Sequence, residues 1–284
     1  MTGAFRYAMC NEAWGDTPIA DVCRKLKYIG YAGIEIAPFT LSSAPDDLPA
    51  ARRREIRDVI TSEGLAFVGL HWLMVSPPGL HVTTPDAALR ERSWRHVDAL
   101  IDLCADLGDS GVMVFGSPKQ RATLGLQSPA EAVRRFAEGL AGIAPHACER
   151  GVTILVEALP ANQCDVITRL AEAVAVVNEI GSPAVQTMFD THNAVDETEP
   201  HAALVDRLLP LIRHVHVNEI DGRHPGTGDY DFRSILEVLR RRNYLAWVSL
   251  EVFDFAPGAP AIAAQSLSHL KAEAEFRGGE TITL

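Results

Sequence analysis

Val185-Gln186-Thr187-Met188-Phe189-Asp190-Thr191-His192-Asn193 holds the pattern that decides the fold. Val185 to Phe189 is a short β-prone run that stops on the carboxylate of Asp190 and then turns polar. A (β/α)8 barrel delivers functional side chains to its C-terminal face by endings of this kind. An aspartate after one strand is also a common helix cap, so the neighbouring strand-like runs carry the decision. Val152 to Val156 ends on Glu157, His214-Val215 leads into His216, and Trp247 to Leu250 ends on Glu251. From 157 to 190, 190 to 216 and 216 to 251 the gaps are 33, 26 and 35 residues. One unit of an eight-unit barrel of roughly 250 residues takes about 31. Consecutive units therefore each present one metal-competent side chain at the same rim.

Outward from that segment the chain keeps alternating strand and helix. Phe5–Cys10, Gly33–Ala37, Leu65–Leu70 and Gly111–Phe115 read as strands one to four. Ile19, Val22, Leu26 and Ile29 recur at helical spacing after Asp16-Thr17-Pro18. Further helices are expected over 50–63, from near Asp86 to Leu107, and over 129–150, 167–180, 200–211, 232–242 and 260–275. No linker or shift of composition marks a boundary, so residues 1–284 are expected to form one TIM-barrel domain of the α/β class. Glu35, inside strand two, reads either as a rim residue or as a buried barrel-layer carboxylate with a local partner. The connection 72–85 is long, apolar at Trp72-Leu73-Met74-Val75 and broken by prolines. It suits a lid over a site or a contact with another subunit, in a homo-oligomer.

The totals narrow the function classes. At 284 residues, 47% hydrophobic and 22% charged, the chain has the composition of a globular protein. A formal net charge of −11 disfavours a broad basic surface gripping nucleic acid. Five cysteines, without a CxxC pair, fit reduced thiols in a cytoplasmic enzyme. No apolar run approaches the roughly 20 residues of a membrane span, and the N-terminus lacks the pattern of a signal peptide.

Three carboxylates and one imidazole make an oxygen-rich donor set. It prefers Mn²⁺, with Mg²⁺ or Co²⁺ as alternatives, over the thiolate- and imidazole-bound zinc of structural sites. A six-coordinate ion there keeps open positions for a substrate with two adjacent oxygens. Such chelation acidifies the C–H between a carbonyl and its neighbouring hydroxyl and stabilises an enediolate. Glu157 and Glu251, on strands well apart round the ring, suit the removal and return of the proton.

The segments Val156-Glu157, Phe189-Asp190-Thr191-His192, His214-Val215-His216 and Ser249-Leu250-Glu251-Val252 resemble the sugar isomerase/epimerase group of xylose isomerase-like barrels. Ketose 3-epimerases and hydroxypyruvate isomerase are similar to this pattern over about residues 151–253. The resemblance implies that Glu157, Asp190, His216 and Glu251 bind the metal and that Glu157 and Glu251 are the acid–base pair. It also implies substrate contacts from His192 and Arg223, although each loop differs in spacing by about a residue. Gln163 stands where the epimerases carry a substrate-binding glutamate. Lys119 and Arg121 stand in a loop that is mostly apolar in the epimerases.

Lys119 and Arg121 are therefore either solvated loop cations or, with Arg223, a cationic mouth drawing in a sugar phosphate or sugar acid. His71, at the end of strand three, is either a satisfied barrel-top histidine or a substrate contact. The function expected is a metal-dependent isomerase or epimerase acting on a small carbohydrate or keto-acid. The alternative is a lyase on the same barrel, of the dehydroshikimate dehydratase or keto-glycoside-eliminating type. A nuclease of the endonuclease IV kind needs additional histidine and aspartate ligands that are not evident here.

Overall fold

The computed structural model describes residues 5–276. Among the described residues there are eight strands: β1 Arg6–Cys10, β2 Gly33–Ile36, β3 Ala66–Leu70, β4 Val112–Phe115, β5 Thr153–Val156, β6 Val185–Asp190, β7 Ile212–Val217 and β8 Trp247–Leu250. They pair in parallel and in sequence order, and β8 closes on β1 through Arg6↔Trp247 to Met9↔Leu250. A parallel sheet covered on both faces needs apolar runs rather than strict alternation. Val-Met-Val-Phe in β4 and Thr-Ile-Leu-Val in β5 meet that need, and the core positions in both are buried.

The outer layer comprises α1 (Ile19–Ile29), α2 (Ala50–Ser62), α3 (Ala87–Leu107), the single turn α4 (Pro118–Arg121), α5 (Pro129–Glu149), α6 (Leu170–Ile180), α7 (His201–Leu208), α8 (Phe232–Arg241) and α9 (Ala259–Glu275). The starts follow capping chemistry. Asp86 accepts from the amides of Ala88 and Leu89 to open α3, and Ser128 accepts from Glu131 N to open α5 behind Pro129. Two expected helices are shorter than their apolar spacing suggests. The helix expected over 167–180 begins at Leu170, because Ile167 adopts φ +59° and Thr168 N donates to the Glu172 carboxylate. The helix expected over 200–211 ends at Leu208, where Leu209-Pro210-Leu211 tightens into a 3₁₀ turn.

The apolar core lies mainly between strands and helices, and a second, small cluster fills the barrel interior. Ala8, Val68, Val112, Val114, Leu155, Met188 and Trp247 form that plug. Functional side chains are therefore confined to the C-terminal end of the barrel, where the interior turns polar.

The long connection 72–85 is fixed against that end. Leu73, Met74, Leu80 and Val82 are buried. Val82 N donates to Gln120 O, Gln120 Nε2 to Met74 O, and Trp94 Nε1 to Val82 O. Trp72 meets Phe253 edge-on at 6.3 Å. Trp72 lines the cleft at that end, while Met74 and Val82 are tied to Gln120 and Trp94. No helix among the described residues is long and apolar enough to cross a membrane.

Candidate active site

Glu157, Asp190, His216 and Glu251 converge at the C-terminal mouth, one just after β5, one ending β6, one in β7 and one just after β8. One ligand atom from each lies within 4.8 Å of the others, and all four residues are buried. His216 Nδ1 is 3.0 Å from Glu251 Oε2 and 3.6 Å from Asp190 Oδ2. Among the described residues, no neighbour is placed at hydrogen-bonding geometry to His216 Nδ1 or Asp190 Oδ2, close as the carboxylate oxygens lie. Buried polar atoms normally find one. Two unpartnered donor atoms aimed into a ring of carboxylates fit a divalent cation with oxygen preference.

Second-layer contacts fix the ring. The Asn193 backbone amide donates to Asp190 Oδ1 at 2.8 Å, and its side-chain amide donates to Glu157 Oε1 at 3.0 Å. One asparagine thereby ties two candidate ligands together while leaving their other oxygens free. The sequence gives Asn193 no role of its own, because its spacing does not show that it turns back on Glu157. Gly116 is a second such residue. A Cβ at this position would lie 2.1 Å from Glu157 Oε2, so the carboxylate occupies the space a side chain would take.

Deeper in the barrel, Glu35 proves to be the barrel-layer carboxylate. It is wholly buried and accepts from His214 Nε2 at 2.9 Å and from His216 Nε2 at 3.0 Å. Burial alone would raise its pKa, but His216 and His214 outweigh that and hold it well below the carboxylate range. Burial, then the charges of Glu251 and Asp190, pushes Glu157 up to about 8. Glu251 is also raised by burial, with His216 opposing. Crowded buried carboxylates of this kind resist ionising together until a cation joins them.

The remaining expected contacts divide. His71 is buried, donates from Nε2 to Glu12 Oε2 at 2.7 Å and lines the cleft beside Glu157 and Glu251. Gln163 lines the same cleft, and its amide meets His192 Nε2 at 3.2 Å. His192 Nδ1 lies 2.6 Å from Ile220 O, which only accepts, so Nδ1 carries the hydrogen and Nε2 receives the Gln163 amide. The His192 ring packs on Phe253 at 4.9 Å. These three residues stand at or beside the mouth.

The cations do not gather there. Arg121 is fully buried, donating from Nη1 to Phe115 O at 3.1 Å and from Nη2 to Ile167 O at 3.4 Å. It is neither a solvated loop cation nor a substrate contact, because both forks of its guanidinium are spent on backbone carbonyls. Arg223 pairs with Asp221 at 2.7 Å and faces a separate cavity lined by His201, Glu219 and Tyr230. Lys119 is exposed and does not line the cleft. The cationic mouth anticipated from these three residues is thus not assembled in this conformation. Cys10 and Cys164 are buried near the site, and burial pushes the Cys10 thiol up to about 12, so it stays protonated and inert.

Residues 23–273 match the family described as Xylose isomerase-like TIM barrel. The chain belongs to this family. Among its relatives, the D-psicose 3-epimerase of Agrobacterium fabrum is 25% identical over 252 residues, covering 87% of this chain and 83% of that one. The 3-dehydro-D-guloside 4-epimerase of Escherichia coli K12 is 25% identical over 250 residues, covering 85% and 89%. The crystal structure of D-psicose 3-epimerase in the presence of D-fructose superposes with a TM-score of 0.80 at 21% identity, over 94% of this chain and 97% of that one. At that identity the superposition speaks for the barrel, and the xylose isomerase-like assignment rests on the family match.

Proposed function

We propose that this xylose isomerase-like barrel is a divalent-metal-dependent epimerase or isomerase of small keto sugars. The observation that carries the reading is the pair of unpartnered buried atoms, His216 Nδ1 and Asp190 Oδ2, facing Glu157 and Glu251. Bound by those four residues, Mn²⁺, Mg²⁺ or Co²⁺ would supply a Lewis acid for a carbonyl and its neighbouring hydroxyl. Glu157 and Glu251 do the proton work. One removes the proton from the carbon beside the carbonyl, leaving an enediolate, and the other returns a proton to the opposite face. Asn193 and Gly116 keep the Glu157 carboxylate in place for that transfer, and His71 and the Gln163–His192 pair offer polar contacts to the sugar.

The named reactions of the relatives support this chemistry. A ketose 3-epimerase and a 4-epimerase of a 3-dehydro glycoside both invert a carbon next to a ketone. That is the carbon whose proton an enediolate mechanism exchanges. Among the described residues no arginine or lysine lines the cleft beside the four candidate ligands, and its apolar wall includes Trp72, Leu159 and Phe253. A neutral keto sugar or keto-glycoside suits it better than the sugar phosphate or sugar acid towards which Lys119, Arg121 and Arg223 pointed in the sequence.

The test is incubation of the purified protein with Mn²⁺ in deuterated buffer against free ketoses, keto-glycosides and ketose phosphates. Deuterium entering the carbon beside the carbonyl is the expected result. An unsaturated product without exchange supports the lyase instead. A melting temperature indifferent both to Mn²⁺ and to chelator refutes the metal centre.

A further inference from the structure

Resting on that metal-centre reading, we infer that Glu35 is a positioning residue which presents His216 to the ion through Nδ1. Glu35 sits in β2, opposite Cys10 of β1, where the pairing of β2 with β3 shifts register between Ile34 and Glu35. Its carboxylate crosses the barrel interior to β7, whose His214 and His216 alternate two apart and so point to the same side. His214 Nε2 lies 2.9 Å from Oε2, and His216 Nε2 lies 3.0 Å from Oε1 and 3.2 Å from Oε2.

An ionised carboxylate accepts and never donates, so both Nε2 atoms carry their hydrogens. For His216 that leaves the lone pair of the neutral ring on Nδ1, the atom that lies among Asp190 and Glu251. The opposite tautomer would aim a lone pair at a carboxylate and a hydrogen at the ion. His214 fixes the other side of the arrangement. By occupying Oε2 it directs His216 mainly to Oε1, and so sets the tilt of the ring. Glu35 has no exposure and does not line the cleft, so it cannot touch substrate and acts only through His216.

A plain structural ion pair would need only one of the two histidines. Both histidines leave Nδ1 without a hydrogen bond, and it is that of His216 which is grouped with the three carboxylates Glu157, Asp190 and Glu251. Ligating histidines generally hold their free N–H on such an acceptor, and removing it weakens metal binding by about 10–100-fold.

The experiment uses the full chain labelled with ¹⁵N-histidine, together with Glu35→Met, which removes both acceptors, and Glu35→Gln, which keeps one. In wild type the long-range ¹⁵N spectrum should show the His216 hydrogen on Nε2, and loading with Mg²⁺ should shift Nδ1. Titrating Mn²⁺ against melting temperature should show the dissociation constant rising about 10–100-fold in Glu35→Met and less in Glu35→Gln. Saturating Mn²⁺ should restore turnover in both, since Glu35 touches no substrate. A His216 hydrogen on Nδ1 in loaded wild type overturns the inference without any variant, which covers the case of a Glu35→Met chain that does not fold. So does a Glu35→Met protein that binds Mn²⁺ as wild type does, or turnover that saturating metal fails to restore. A wild type that ignores Mn²⁺ overturns the four-residue metal centre itself, a result read before any Glu35 variant is made.

Discussion

Gly116→Ala tests the candidate centre with the smallest possible change. The added Cβ would lie 2.1 Å from Glu157 Oε2, 3.3 Å from its Cδ and 3.6 Å from Leu159 Cδ2. Only the first of these contacts is impossible, and it falls on the end of a flexible side chain. Restoring an ordinary separation of 3.4 Å requires the carboxylate to retreat by 1.3 Å. The backbone at Gly116 has no positive φ, so the substitution brings no conformational strain of its own. The fold should therefore survive, with a melting temperature of the metal-free protein close to wild type. The chemistry should not. Misplacing a reacting group by about 1 Å costs on the order of a hundredfold in rate. The assay is solvent deuterium uptake by whichever ketose wild type turns over, with Mn²⁺ saturating so that weakened metal binding is separated from misplaced proton transfer. Wild-type exchange in a fully loaded Gly116→Ala protein would show that Glu157 does not work from this position.

Glu157→Gln and Glu251→Gln should each lose at least about a hundredfold in turnover at saturating metal, the usual scale for a general acid or base; near wild-type turnover in either one removes the two-carboxylate mechanism. His216→Ala should shrink the rise in melting temperature that Mn²⁺ confers, measured by a metal titration with wild type alongside. Because Glu157 is raised to about 8, its contribution to stability in the metal-free protein is complete below the ordinary carboxylate value of 4.5 and is lost as pH rises through about 8. Mn²⁺ should accordingly stabilise more at about pH 8.5 than at about pH 6, and thermal melts with and without chelator check the sign. Arg121→Met should lower the melting temperature, since it removes the two hydrogen bonds of a buried charged donor, about 1.5–3 kcal/mol each, although the Phe115 and Ile167 carbonyls keep their backbone donors Glu157 N and Leu159 N. It should not change the preference between neutral and phosphorylated substrates, and a selective loss for the phosphorylated one would restore Arg121 to substrate binding.

Periodicity made the barrel legible. Each strand and helix is specified by residues near one another in the chain, and the repeat length fixes where successive strands end. Asp190, His216, Glu157 and Glu251 could be placed at one rim from spacing alone, because closing eight similar units sends equivalent ends to the same face. The same logic located His71 and His192 at strand ends. Which way a side chain turns after leaving its strand is set by packing between distant segments, and the sequence leaves that open. Arg121 sits in the same loop as Lys119, yet one is buried against Phe115 and Ile167 and the other is exposed. Arg223 follows His216 closely in sequence, yet it pairs with Asp221 and lines a separate cavity. Asn193, Gly116 and Glu35 gain their roles from partners 36, 41 and up to 181 residues away. No local pattern encodes such pairings. Only the closed barrel, by excluding water from its interior, forces those polar groups to find one another.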